Sequence, residues 1–292
     1  MEDKKIMNKQ REAINSYNEA LFAIYKDQGL QCLSDNNYTY ASENVLGINI
    51  DAVVMANQSG LYQRQIEIYD LLKIDKSTKN PNQMQMELIS ATADLKYRLG
   101  TLYLYHPYIT RLEHSYSYIE SKKFFHFNQR LEDARFNREL PVAFESLYKF
   151  WQRLGDYLCS FFPELLLDKK GMIYFQNPFQ YIHNHFPDLE NSLHFQWLWD
   201  FQQNVYPMLN KHRKFFVHQA GYDSDYVKKF LDAHSKDENA IIALDNERDR
   251  WLPYLHEQSE LCNNGYLTMM RFLNQLKITK TAKGQFEYKI IV

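Results

Sequence analysis

An all-α fold is what this sequence predicts, and two observations carry the prediction. The 292 residues include only nine glycines and eight prolines, about half the share that average usage gives, so few positions tolerate the φ > 0 of tight turns. Dinucleotide-binding α/β folds, sandwiches and propellers need such residues at many turns and are disfavoured. Apolar residues also recur at helical spacing over long stretches, most strongly in the second half. The expected architecture is a helical bundle in the C-terminal half, preceded by additional helices, with a short strand at the C-terminus.

Taken in order, residues 8–27 place Ile14, Tyr17, Leu21 and Ile24 at spacings of three, four and three, one stripe of an amphipathic helix. From Leu30 to Gln58 the pattern does not choose: NVLGINIDAVVMANQ fits a short strand or the start of a helix. Residues 61–73 and 84–130 read as helical, separated by the loop-like KSTKNPNQ of Lys76–Gln83. The clearest helix is Pro141–Phe162, where Phe144, Leu147, Trp151, Leu154, Leu158 and Phe161 keep strict three-four spacing. Pro141 suits its first turn and Pro163 its stop. A loop of about 25 residues follows, punctuated by Gly171, Pro178 and Pro187. A second long helix covers residues 190–219, with Leu198, Phe201, Val205, Met208, His212 and Phe215 on one stripe, a kink at Pro207 and Gly221 at the C-terminal cap. Residues 237–277 give further helix, interrupted or bent at Pro253, and the tail from Ile278 alternates like a strand or an extended arm.

Lys and Arg number 34 against 36 Asp and Glu, a net charge of −2, so no global field draws the chain to nucleic acid or anionic lipid. Cys32, Cys159 and Cys262 are odd in number and far apart, which argues against a disulfide framework or a thiolate zinc site. The start lacks an uninterrupted apolar h-region, and there is no apolar run of about 18 residues. A soluble, cytoplasmic protein without membrane contact is expected. Walker A, nucleophile-elbow and zincin motifs are absent from the sequence.

One segment concentrates chemistry: Lys211, His212, Arg213, Lys214, Phe215, Phe216, Val217, His218. An arginine that forks onto phosphate, near a histidine that titrates around neutrality, supplies what RNA strand scission requires. One group stabilises phosphate charge and the other moves protons. The RNA 2′-hydroxyl is an internal nucleophile, so this chemistry needs neither metal nor cofactor. An R-x(4–6)-H spacing arises by chance roughly once in such a chain, and Arg250 with His256 is a second match. Arg213 and His218 are distinguished by context: the end of a long amphipathic helix, local basic charge, and Gly221 shortly after. The alternative is a structural arginine and a helix-terminal histidine stabilised by the dipole. Five residues apart, the two lie about 140° apart around a straight helix. Either the helix unwinds before Gly221, or another chain completes the site.

Asp156 is a candidate carboxylate for orienting Arg213 or His218, against an ordinary ion-paired role. His212 falls on the apolar stripe and reads as packed, with a supporting role at the site as the alternative; Lys214 adds charge beside Arg213. His183, His185 and His194 lack a completing carboxylate pattern, and no metal site is assigned. Tyr97, Tyr103, Tyr105, Tyr108, Tyr116 and Tyr118, interleaved with Arg111, Lys122 and Lys123, fit core packing better than stacking on RNA bases.

The pairing of AFESLYKFWQRLGDYL with a later helix ending MLNKHRKFFVHQ resembles the HEPN superfamily of helical bundles. The nearest branch has an aromatic first helix with a W-x-R-L-G-D-like segment, here Trp151–Asp156. The resemblance covers residues 140–277, with 1–135 as an N-terminal helical region of unknown role and 278–292 as an extended tail. It implies a metal-independent endoribonuclease of toxin or antiviral-defence type, acting as a homodimer whose facing motifs line one cleft, with Arg213 and His218 as the catalytic pair. Lys214 stands where the family commonly has a small polar residue. Ala220 stands where some toxins carry a tyrosine modified by a nucleotidyltransferase, so such a partner is not implied. The alternative reading is a non-catalytic helical module that binds RNA, a nucleotide or a partner protein, or a nuclease subunit gated by a regulatory protein partner.

Overall fold

A computed structural model describes residues 2–33, 35, 63, 65–70, 81–127, 129–162, 165, 174–218, 222–234, 238–281 and 286–290. The fold is all-α, a helical bundle with two short antiparallel hairpins. In chain order come α1 (Glu2–Asp27), α2 (Pro81–Tyr105), β1 (Tyr116–Ile119), β2 (Lys122–Phe125) and α3 (Leu131–Cys159). Then follow α4 (Gln176–His185), α5 (Leu193–Asp200), a π turn (Phe201–Val205), α6 (Tyr206–His218), α7 (Tyr222–His234), α8 (Glu238–Asp249), α9 (Trp251–Gln275), β3 (Leu276–Lys280) and β4 (Phe286–Ile290). Residues 65–70 are also helical. Among the described residues no helix is long and apolar enough to cross a membrane.

The chain forms two compact units, one from residues 1–31, 94–145 and 213–259, the other from 32–93, 146–212 and 260–292. The tail 278–292 lies within the second unit, and the intervals 1–135 and 140–277 each contribute residues to both. In the first unit Tyr17 of α1 brings its hydroxyl to those of Tyr97 (3.3 Å) and Thr101 (3.4 Å) on α2. Its interior holds a buried ion pair, Arg248 Nη2 to Asp133 Oδ1 at 2.7 Å. In the second unit Trp151 is fully buried and stacks on Phe201 with ring centroids 3.9 Å apart. Gly265 makes room for it: a Cβ there would lie 2.5 Å from Trp151 Cη2.

The stripe expected on the clearest helix holds in full, since Phe144, Leu147, Trp151, Leu154, Leu158 and Phe161 are all buried. The helix starts earlier than expected, at Leu131, and Pro141 lies inside it. Asp133 explains the earlier start: its Oδ2 accepts from the Arg130 backbone N–H at 2.9 Å, satisfying a donor at the helix N-terminus. The helical reading of 84–130 is corrected as well. α2 ends at Tyr105, and a 3₁₀ turn containing Pro107 follows. The tyrosine-rich stretch then pairs as a hairpin, Tyr116 opposite Phe125 and Tyr118 opposite Lys123. Its turn residues Glu120 and Ser121 both have positive φ, 49° and 66°, which matches the right-handed twist of the strands. Tyr116 and Tyr118 on the hairpin, Tyr97 on α2 and Tyr108 in the 3₁₀ turn are exposed rather than core. The expected loop after Phe162 contains α4, and the C-terminal tail pairs with itself through β3 and β4. The ambiguous stretch up to Gln58, apart from residues 30–33 and 35, lies outside the described residues, as do Pro163, Gly171 and Gly221.

Ser192 caps α5: its Oγ accepts from Phe195 N–H at 3.4 Å and donates to Gln275 Oε1 at 2.9 Å. Loss of a Ser cap costs about 1 kcal/mol. Ser192→Ala is therefore expected to lower the urea midpoint without changing the slope, which an equilibrium denaturation curve reads directly.

Candidate functional site

The π turn decides which residues of the second long helix face inward. Pro207 has no N–H and its ring crowds the carbonyl four residues back. The backbone meets this by widening just upstream, where Tyr206 N–H bonds to Phe201 O, five residues earlier. One extra residue per turn moves the buried stripe on by one position. Instead of Val205, Met208, His212 and Phe215, the inward positions after Phe201 are Tyr206, Leu209, Arg213 and Phe216. Tyr206, Leu209 and Phe216 are buried, while Met208 is 49% exposed. The expected stripe is thus corrected, and His212, expected on it, is half-buried beside it.

The shift turns Arg213 toward α3. Its Nε–H donates to Glu145 Oε2 at 3.0 Å, with the two side chains 16% and 28% exposed. One turn further along α6, Phe216 stacks on Phe144, ring centroids 4.5 Å apart and planes 14° apart, and meets the edge of Trp251 at 4.9 Å. Ion pair and ring stack together fix the register between the end of α6 and the middle of α3. Lys211 and Lys214 are exposed. Phe215 lies under Lys229 Nζ at 5.3 Å, and that ammonium is held by Asp225 (3.0 Å) and Glu247 (2.7 Å). Burial lowers the Lys229 pKa, but the bonds it donates to these carboxylates outweigh it and raise the net value.

α6 continues as helix through His218; the side chain of His218 lies outside the described residues. The backbone does not unwind before His218, and residues 219–221 lie outside the described residues. Asp156 belongs to the second unit and pairs with Arg153 at 3.4 Å. Arg213 does have a carboxylate partner, and it is Glu145, beside Phe144 on α3. The signal that could have found it is Pro207, because a proline accommodated by a π turn shifts every later position.

The segment Trp151–Asp156 has a packing role in the second unit. Trp151 stacks in the core, and Gly155 lets the backbone of Phe175 approach: a Cβ there would lie 2.7 Å from Phe175 Cα. Gln152 Oε1 accepts from Phe175 N–H at 3.3 Å. The second R-x-H match serves structure too. His256 Nδ1 meets Tyr103 OH at 2.7 Å, and Arg250 covers the Trp251 ring at 4.4 Å. His183 stacks on Trp199 at 4.5 Å and pairs with Glu190 at 2.6 Å, while His185 Nδ1–H donates to Tyr181 O at 2.9 Å. The His194 pKa is lowered by burial and by Arg271. Among the described residues no group of three or more His, Cys, Asp or Glu is placed to hold a metal ion.

No family model, curated protein or solved structure matches the chain.

Proposed function

We propose that the protein is a metal-independent endoribonuclease of the HEPN type, a cytoplasmic homodimer of toxin or antiviral-defence character that cleaves RNA without a cofactor. Arg213 binds and neutralises the scissile phosphate, and His218 transfers the proton. The observation that carries this reading is the unbroken run of α6 through His218. On such a helix Arg213 and His218 are about 140° apart, so one straight helix does not aim both at one phosphate. Two copies related by a two-fold axis, with α6 at the interface, supply an arginine from one chain and a histidine from the other. Exposed Lys211 and Lys214 add positive charge along the same helix.

A second reading, a non-catalytic helical module binding RNA, a nucleotide or a regulatory protein, is favoured by the ion pair itself. A phosphate has to share Arg213 with Glu145.

The test incubates mixed RNA with the protein in EDTA, beside Arg213→Ala and His218→Ala variants matched for helical content. The expected result is cleavage by the wild type alone, leaving 2′,3′-cyclic phosphate ends. Products with 3′-hydroxyl ends would refute 2′-OH attack, and a monomer mass at working concentration would refute the shared site. No cleavage at all moves the weight to the binding module.

A further inference from the structure

We infer that Glu145 is the positioning residue of this site, acting through Arg213; the inference rests on the ribonuclease reading above. A guanidinium carries five N–H donors in a rigid plane. A carboxylate that takes the Nε–H constrains both the position of the group and the direction of its plane. Glu145 Oε2 does this at 3.0 Å with both side chains largely withdrawn from water, where a charge-assisted bond is stronger and less screened than at the surface. Glu145 itself sits on a fixed base. It follows Phe144, whose ring stacks on Phe216, and Phe216 lies three residues beyond Arg213 on α6. The π turn brings Arg213 into this register, and such turns are common where a side chain must be re-aimed for function.

The role separates from simple stabilisation by what it predicts for turnover. A phosphate-binding arginine displaced by about 1 Å loses on the order of 10²-fold in rate. Glu145→Ala should therefore lower kcat by about 10- to 100-fold while KM moves little. Glu145→Gln keeps an oxygen that accepts from Nε–H and should lose less than Glu145→Ala. In the background of Arg213→Ala, adding Glu145→Ala should cost nothing further, because the residue through which Glu145 acts is gone.

The experiment measures RNA cleavage in EDTA for wild type, Glu145→Gln, Glu145→Ala, Arg213→Ala and the double variant, with thermal melts of each. Activity is compared below the lowest melting transition, so a loss with the fold intact reports positioning. If the wild type cleaves and Arg213→Ala does not, but Glu145→Ala turns over at the wild-type rate, the positioning role is overturned and the ribonuclease reading stands. A loss confined to KM, or equal losses in Glu145→Gln and Glu145→Ala, also overturns it. A wild type without cleavage overturns the ribonuclease reading and this role together.

Discussion

Replacing Trp151 by alanine is expected to destabilise the protein by about 3–5 kcal/mol, the range for removing a large aromatic ring from a packed core. The indole is fully buried and lies among Phe150 (5.2 Å), Phe175 (5.2 Å) and Phe201 (3.9 Å), so its removal leaves a cavity lined by aromatic rings. The sharper expectation concerns Gly265. Glycine inside a helix costs about 1 kcal/mol relative to alanine, yet a Cβ at 265 would meet Trp151 Cη2 at 2.5 Å. Gly265→Ala alone should therefore destabilise, because the ring has aromatic neighbours and nowhere to shift. With Trp151→Ala in place the clash is gone, and the same Gly265→Ala change should stabilise. Urea denaturation of the four proteins closes this cycle. A destabilising Gly265→Ala effect of the same size in both backgrounds would show that Trp151 is not the cause.

Arg248→Met is expected to cost a similar amount, about 3–5 kcal/mol, by leaving a buried carboxylate without its cation. Arg248 and Asp133 are 1% and 2% exposed. Arg248 Nη1–H also donates to Thr110 O at 2.9 Å, and its guanidinium lies over the Tyr226 ring at 4.9 Å. Asp133 in turn accepts from Thr110 N–H (2.9 Å) and Oγ1–H (2.7 Å). The pair thus ties α8, α3 and the turn after α2 together within the first unit. Burial by itself would raise the Asp133 carboxyl, but the bonds from Arg248, Arg130 and Thr110 outweigh it and hold the group below its ordinary 3.8. A carboxyl depressed on folding contributes stability that is present above its unfolded value and is lost as pH falls through the folded one. The gap in stability between wild type and Arg248→Met should accordingly be widest near neutral pH and narrow once the pH drops below about 4. Denaturation at pH 7 and pH 3 checks it; a gap of constant size would mean that packing, not charge, carries the effect.

Much of the fold is legible locally. The stripe from Phe144 to Phe161 needs no knowledge of its neighbours, because period and amphipathicity suffice to say which side of that helix will be buried. The same logic failed wherever backbone chemistry outranked period. The tyrosines of 116–125 show helix-compatible aromatic content but pair as a hairpin once Pro107 has ended α2. Asp133 starts α3 well before Pro141, since a side-chain acceptor at a helix start is worth more than a proline that merely suits one. At the candidate site the types and spacing of Arg213 and His218 were visible in the sequence. Glu145 was not, because the partner of a side chain depends on helical phase to within one residue.

The amino-acid sequence by itself determined the helical class of this protein, the apolar face of α3 and the place of its basic segment bearing Arg213 and His218. These follow from residue type and spacing within one stretch of chain. Tertiary structure alone decided that Leu209 and Phe216 rather than Met208 and Phe215 are buried and that Glu145 receives Arg213. A π turn ahead of Pro207 alters phase by one residue, and Leu209 and Phe216 are buried in the altered phase.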